Sequence, residues 1–267
     1  MVVIMRYARF AMLLAGAVLC SACFQFSTVV SVKPDGSGTI DQRMLFTQAA
    51  VAQLRQFAAL SGGTGEFEPV SEQQARDGAA ALGPGVTYVS STPINSPEGV
   101  GRTIKYAFTD INTLKLDQAP PPPGGMPVPA TPAADGEPRV SFALTRPAGG
   151  NALLTIKIPQ LPAIGGDPSL PPNGPSLEQF AMLKPLLAGA RITIDIEPAG
   201  RLVRTSSPYV SGNRVTLLDV NVDALLADDT LLQRLQAAKT PDEAKAILKN
   251  IPGLKANLDP ELTIEFQ

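Results

Sequence analysis

Phe24, Phe26, Thr28, Val30 and Val32 alternate with Gln25, Ser27 and Ser31, the period-two pattern of a strand with one buried face. Lys33-Pro34-Asp35-Gly36-Ser37-Gly38 then reads as a turn, because proline presets one dihedral and glycine accepts a positive φ. Ile40, Met44 and Phe46 continue on a returning strand, so the first element is a hairpin. Thr47 is placed to cap a helix running to about Leu60, with Ala50, Leu54, Phe57 and Ala58 on one face. Gly62 to Gly65 break it. Ser71 followed by Gln74 has capping-box spacing for a second helix ending near Gly83. After Pro84-Gly85, strands are expected over 86–92 and 100–109.

The pattern resumes beyond a proline-rich stretch. Arg139 to Arg146 and Ala152 to Ile158 predict a hairpin around Pro147-Ala148-Gly149-Gly150, and a Pro/Gly segment fills 159–175. Ser176 and Gln179 repeat the capping-box spacing for a helix to about Ala188. Ile192, Ile194 and Ile196 alternate with Thr193, Asp195 and Glu197 as a strand. Pro198-Ala199-Gly200 turns the chain, and strands near 202–207 and 214–221 follow around Ser211-Gly212-Asn213. One helix from about Val222 is expected to bury Leu225, Leu226, Leu232 and Leu235. Another starts at Thr240, Pro241 and Glu243, with Ala244, Ile247, Leu248 and Ile251 on its face. Leu262, Ile264 and Phe266 close the pattern as a strand.

These elements predict an α+β fold: a mainly antiparallel sheet built from hairpins, helices packed on one face, and long Pro-rich loops. Residues 117–138 carry too many prolines for a helix or a central strand and read as an exposed loop or linker. They divide the chain into an N-terminal half over 23–116 and a C-terminal half over 139–267, expected to pack together as one domain. The halves echo each other, with Val32-Lys33-Pro34-Asp35-Gly36 against Ile196-Glu197-Pro198-Ala199-Gly200 at hairpin tips. Both a duplicated β-β-α-α-β unit and coincidence of common turns explain the echo.

The first 22 residues stand outside this pattern. Arg6 and Arg9 precede the uncharged apolar run Phe10–Leu19, shorter than the roughly 20 residues a spanning helix needs and suited to a signal peptide. Cys20-Ser21-Ala22-Cys23 follows. Small residues directly before a cysteine resemble the lipobox of bacterial lipoproteins, in which that cysteine is acylated and becomes the mature N-terminus. The resemblance makes Cys23 the lipidation site, with palmitate-type acyl chains as its lipid. Leu stands at the third position before the cysteine in most lipoboxes, whereas Cys20 stands there here.

Composition narrows the chemistry. Cys20 and Cys23 are the only thiols in 267 residues, so nothing beyond Cys23 forms a disulfide or a thiolate site. Histidine and tryptophan are absent, which removes His-dependent triads and His-ligated zinc. The net charge of −2, with no basic block, argues against a nucleic-acid partner. Glycines 62–65 lack the lysine of a phosphate loop. Asp219, Asn221 and Asp223 open like a calcium loop, but Ala224 and Thr230 stand where its turn glycine and bidentate glutamate belong. Asp110 and Asn112 read as turn-capping residues before Leu114 and Leu116.

Three segments together resemble uncharacterised bacterial envelope lipoproteins, distantly of the LppM type: Cys23-Phe24 leading through residues 30–38, Tyr106 to Asn112, and the region 191–217. The resemblance implies a lipid-anchored α+β envelope domain and no catalytic residue. The expected function is thus a non-catalytic binding or assembly module in the cell envelope, at the outer membrane if the host is Gram-negative, facing periplasm or surface. Its partner would be an envelope protein, glycan or lipid, and no cofactor or metal is expected. A carrier of lipid or a small apolar ligand is one alternative and would need a closed apolar cavity. A hydrolase using carboxylates or a Ser-Lys pair near Lys105, Lys115 or Lys184 is the other.

Overall fold

The computed structural model describes residues 24–52, 55, 70–117, 139–148, 150–159, 189–228, 230–238 and 240–267. The expected signal segment, Cys23, the body of the helix after Thr47, the Pro-rich stretches and the helix 176–188 lie outside the described residues. Within them the fold is α+β, built mostly of antiparallel strands, as the alternation predicts.

The first hairpin pairs β1 (Phe24–Val32) with β2 (Gly38–Phe46) from Phe24↔Phe46 to Val32↔Gly38. Its turn needs glycine at position 36, where φ is +88° and Gly36 N–H donates to the Lys33 carbonyl at 3.0 Å. Thr47 Oγ1 accepts from Ala50 N–H, starting the helical turn expected there. Helix α1 (Glu72–Ala81) opens with the capping box that the sequence predicts: Ser71 Oγ accepts from Gln74 N–H, and the Gln74 side chain accepts from Ser71 N–H at 2.8 Å. Strands β3 (Val86–Ser96) and β4 (Gly99–Phe108) follow. β3 runs four residues further than its apolar content suggests, because an edge strand tolerates Pro93.

The chain then leaves this sheet through a 3-10 turn (Ile111–Thr113). β5 (Lys115–Leu116), β6 (Val140–Thr145) and β7 (Ala152–Lys157) belong to a second sheet. Asp110 caps the turn by accepting from Asn112 N–H at 2.9 Å, and the Asn112 side chain accepts from Leu144 N–H at 2.7 Å. The structural reading of both residues holds, and Asn112 also ties the turn to β6.

β8 (Arg191–Pro198) returns to the first sheet, parallel to β1, with Val30 opposite Ile196. The expected hairpin after Pro198-Ala199-Gly200 does not form. β9 (Leu202–Thr205) pairs instead with the last strand in the second sheet, while β8 pairs with β11 (Arg214–Asn221). Asn213 explains the departure: its amide donates to the Pro198 and Gly200 carbonyls and its oxygen accepts from Leu202 N–H, clamping the crossover between sheets. The turn Ser211-Gly212-Asn213 therefore joins β11 to the short β10 (Val210–Ser211). This breaks the order a repeated β-β-α-α-β unit would have.

The single helix expected from Val222 is divided. α2 (Val222–Leu226) and α3 (Leu231–Ala237) are separated by a turn in which Asp228 accepts from both the backbone and the hydroxyl of Thr230. Asp228 is a local acceptor that breaks the helix. α4 (Pro241–Lys249) begins at Thr240, whose hydroxyl accepts from Glu243 N–H as expected. β12 (Lys255–Ala256) and β13 (Glu261–Phe266) complete the chain.

One sheet thus has the order β10-β11-β8-β1-β2-β4-β3, with β12 beside β11; the other has the order β5-β6-β7-β13-β9. The sequence pattern anticipates a single sheet. Two form because β5, β6, β7, β9 and β13 pair only with one another. Their inner faces share one core: Val30, Ile40, Ile104 and Ile196 from the first sheet, Leu154, Ile156, Ile264 and Phe266 from the second, with Ile111 and Leu114 between. α1 packs on the inner face beside β4, where Tyr106 donates to the Ala75 carbonyl at 2.7 Å. No helix among the described residues is long and apolar enough to cross a membrane.

Candidate functional site: the outer face of the larger sheet

Alternation that buries Phe26, Thr28, Val30 and Val32 turns Gln25, Ser27, Val29 and Ser31 to the opposite face of β1. Register carries that parity across the sheet. Lys105, Asp41, Val29, Asp195 and Thr216 lie on successive strands in one transverse row. Thr103, Arg43, Ser27, Thr193 and Asp219 form the next row toward the Phe24 end. The face is polar and rich in hydroxyls.

A bulge builds part of it. Pairing between β8 and β11 shifts between Thr216 and Leu218, which leaves Leu217 as the extra residue. Leu217 and Leu218 both pack on the core side, and Asp219 is thereby opposite Thr193. Asn257 satisfies the displaced carbonyls, donating from its backbone to Leu217 at 3.0 Å and from its side chain to Thr216 at 2.7 Å.

Most charges on this face are matched. Lys105 Nζ donates to both Asp41 carboxylate oxygens, at 2.9 and 3.3 Å. Arg191 makes a bidentate pair with Asp219, at 2.9 and 3.0 Å, and Lys255 approaches the same carboxylate at 3.9 Å. Arg214 donates to Glu197 at 2.7 Å, and Asp195 accepts from the Thr216 hydroxyl at 2.7 Å. The hydrogen bond from Arg191 to Asp219 raises the arginine's pKa, and that from Arg214 to Glu197 does the same. With both guanidiniums about half exposed, each pair is worth no more than about 1 kcal/mol, mainly in fixing side-chain positions.

The candidate calcium residues are not brought together. Asp219 is engaged by Arg191 and Lys255, Asn221 accepts from Asp223 N–H, and Asp223 accepts from Gly189 N–H at 2.6 Å. Among the described residues no group of three or more acidic or thiol side chains is placed to hold a metal ion. Lys105, named for a Ser-Lys pair, faces Ser90 across β3 but is held by Asp41. Lys115 is exposed on β5, and Lys184 lies outside the described residues.

A second polar group sits on the inner side of β3 and β4, beneath α1. Arg102 is only 6% exposed; its Nε donates to the Val70 carbonyl at 3.0 Å and its Nη1 to Ser91 Oγ at 2.7 Å. Arg76 lies 4.6 Å from the Tyr88 ring centroid and pairs with Glu72 at 2.6 Å, which lowers the Glu72 pKa. Sequence reasoning missed this group: Arg102 shares its strand parity with Ile104 and Tyr106, but its partners Val70 and Ser91 come from other elements that no local pattern brings to it.

Burial pushes the Tyr106 hydroxyl up to about 12 from 10.0. An unfolded chain ionises this tyrosine first, so folding stability falls as pH rises through about 10 and toward 12. The loss approaches on the order of 2 kcal/mol. Tyr106→Phe should flatten that segment of the stability–pH curve, measured by urea titration of both proteins between pH 8 and 12. Parallel curves would mean that Tyr106 ionises freely in the folded protein.

No family model matches the chain, and no curated protein matches it. Among solved structures, the folded domain of the LppM protein of Mycobacterium tuberculosis, determined by NMR, aligns at 11% identity with a TM-score of 0.32. The alignment covers 75% of this chain and 84% of that domain. The similarity is slight.

Proposed function

We propose that this protein is a non-catalytic envelope lipoprotein, a binding or assembly module tethered to a membrane by acyl chains on Cys23. The reading rests on the charged, apolar and small-residue order before Cys23. The observation that carries it in the fold is the position of β1. This strand begins at Phe24, the residue after the candidate acyl site, and lies between β2 and β8 in the interior of the larger sheet. Phe24 is held there, its ring 4.8 Å from that of Phe46. An anchor at Cys23 would therefore join a rigid body without a flexible spacer, holding the body close to the bilayer and restricting its tilt. The outer face of the sheet, polar and broad, is the surface offered to a partner in the envelope. At the outer membrane of a Gram-negative host the module would face the periplasm or the surface.

Intact mass spectrometry of protein extracted from membranes tests the anchor. The expected species begins at residue 23 and exceeds the mass of the bare chain by a diacylglyceryl group, with or without a third acyl chain. An unmodified species starting at any other residue defeats the proposal.

A further inference from the structure

The outer face holds one guanidinium that its neighbours leave unmatched. Arg43 is half-buried on β2, flanked in register by Ser27 on β1 and Thr103 on β4, with Thr193 beyond Ser27 on β8. Cross-strand neighbours of this kind have Cβ atoms about 4.5–5.5 Å apart, so Ser27 and Thr103 stand directly beside the guanidinium, while Thr193 lies one strand further off. The nearest carboxylate along β2, Asp41, is occupied by Lys105 Nζ on both oxygens. Across the sheet, Asp219 is occupied by Arg191 and Lys255, while Asp195 accepts from Thr216. Among the described residues Arg43 has no ion pair and no hydrogen-bond acceptor, and the hydroxyls of Ser27, Thr103 and Thr193 likewise donate to none.

A guanidinium offers five N–H donors in a planar fork that matches oxyanions, and the hydroxyls add donors on both sides of it. The other cations of the face are spent on carboxylates, so an oxyanion arriving there meets Arg43 unopposed. The geometry points to an oxyanion-binding site of phosphate class, formed by Arg43 with Ser27 and Thr103. A free phosphate ester and the phosphate of an anionic lipid headgroup share the chemistry it recognises. The inference stands on the sheet alone and does not need Cys23 to be acylated.

The full-length protein in a neutral detergent is titrated with inorganic phosphate, and with short-chain phosphatidylglycerol, while backbone amide resonances are followed. Inorganic phosphate should shift Ser27, Arg43 and Thr103 saturably, with chloride at equal ionic strength leaving them in place. Arg43→Gln should weaken binding about tenfold or more, as expected for losing a charge-assisted contact. Thr103→Val, which suits a strand, should weaken it by a smaller factor and serves if Arg43→Gln fails to fold. Tighter binding of phosphatidylglycerol than of inorganic phosphate identifies the headgroup as the ligand, and the reverse identifies a free phosphate ester. Absence of saturable shifts, or shifts unaffected by both substitutions, overturns the site. The mass of the mature chain reads the anchor separately, so failure of one leaves the other intact.

Discussion

Cys23→Ser is expected to move the protein from the membrane pellet to the soluble fraction. Each buried methylene of an acyl chain contributes about 0.8 kcal/mol, yet a single myristoyl chain gives only marginal binding, with an association constant of roughly 10⁴ M⁻¹. Firm retention needs two hydrocarbon signals, and a lipoprotein cysteine carries both on one residue. Serine lacks the thiol that forms the thioether, so the substitution removes all of the hydrocarbon at once. The described helices include none able to span a bilayer and compensate. Fractionation at high salt, which strips surface electrostatics, makes the comparison clean. Equal retention of the variant and the parent would contradict anchoring at this residue.

The second large effect is on stability. Phe266→Ala should cost about 3–5 kcal/mol, the range for removing a fully buried aromatic ring. Phe266 is completely buried, one residue from the last position of the sequence, because β13 lies between β7 and β9. Its loss leaves a void beside Ala152 and Leu202, its partners on the flanking strands, that a paired strand cannot close by moving. Val210→Ala, on an exposed edge position, should stay within about 0.5 kcal/mol and serves as the control. Urea unfolding followed by circular dichroism reads both. A Phe266→Ala midpoint shifted no further than that of Val210→Ala would mean that the second sheet contributes little to the folded state.

Local structure was legible in the sequence wherever one residue determines the backbone. Ser71 with Gln74, Thr240 before Pro241, and Gly36 in the first turn each act within a few positions, and each appears where the spacing puts it. Strand partners were not legible. Alternation marks which side of β8 is apolar, but it is silent on whether β9 folds back beside β8 or crosses to another sheet. That choice depends on Asn213, a turn residue by type, whose side chain reaches two carbonyls and an N–H near residue 200. The helix after Val222 was overextended for a related reason: periodic leucines outweighed Asp228 and Thr230, which satisfy each other in a turn.

The candidate site divides the same way. Cys23 is a candidate on the sequence alone, because a processing signal is a linear string. Arg43 is not, since its meaning comes from Ser27 and Thr103, which flank it across strands and are otherwise ordinary polar residues. Asp219, Asn221 and Asp223 open like a calcium loop, a match that Ala224 and Thr230 already break in the sequence. A one-residue bulge at Leu217 changes the face of Asp219 and gives it to Arg191.

The parallel seam between β1 and β8 has a consequence for how the chain comes to its folded state. The hairpins β1-β2 and β3-β4 can form from nearby residues and pair through β2 and β4, but one side of β1 stays open until β8, more than 150 residues later, reaches it. Such distant pairing is slow, and an open apolar strand invites wrong partners while it waits. Refolding from denaturant should therefore be biphasic, an early pairing of β1 to β4 followed by a slower zipping of the midline, with yield falling as protein concentration rises.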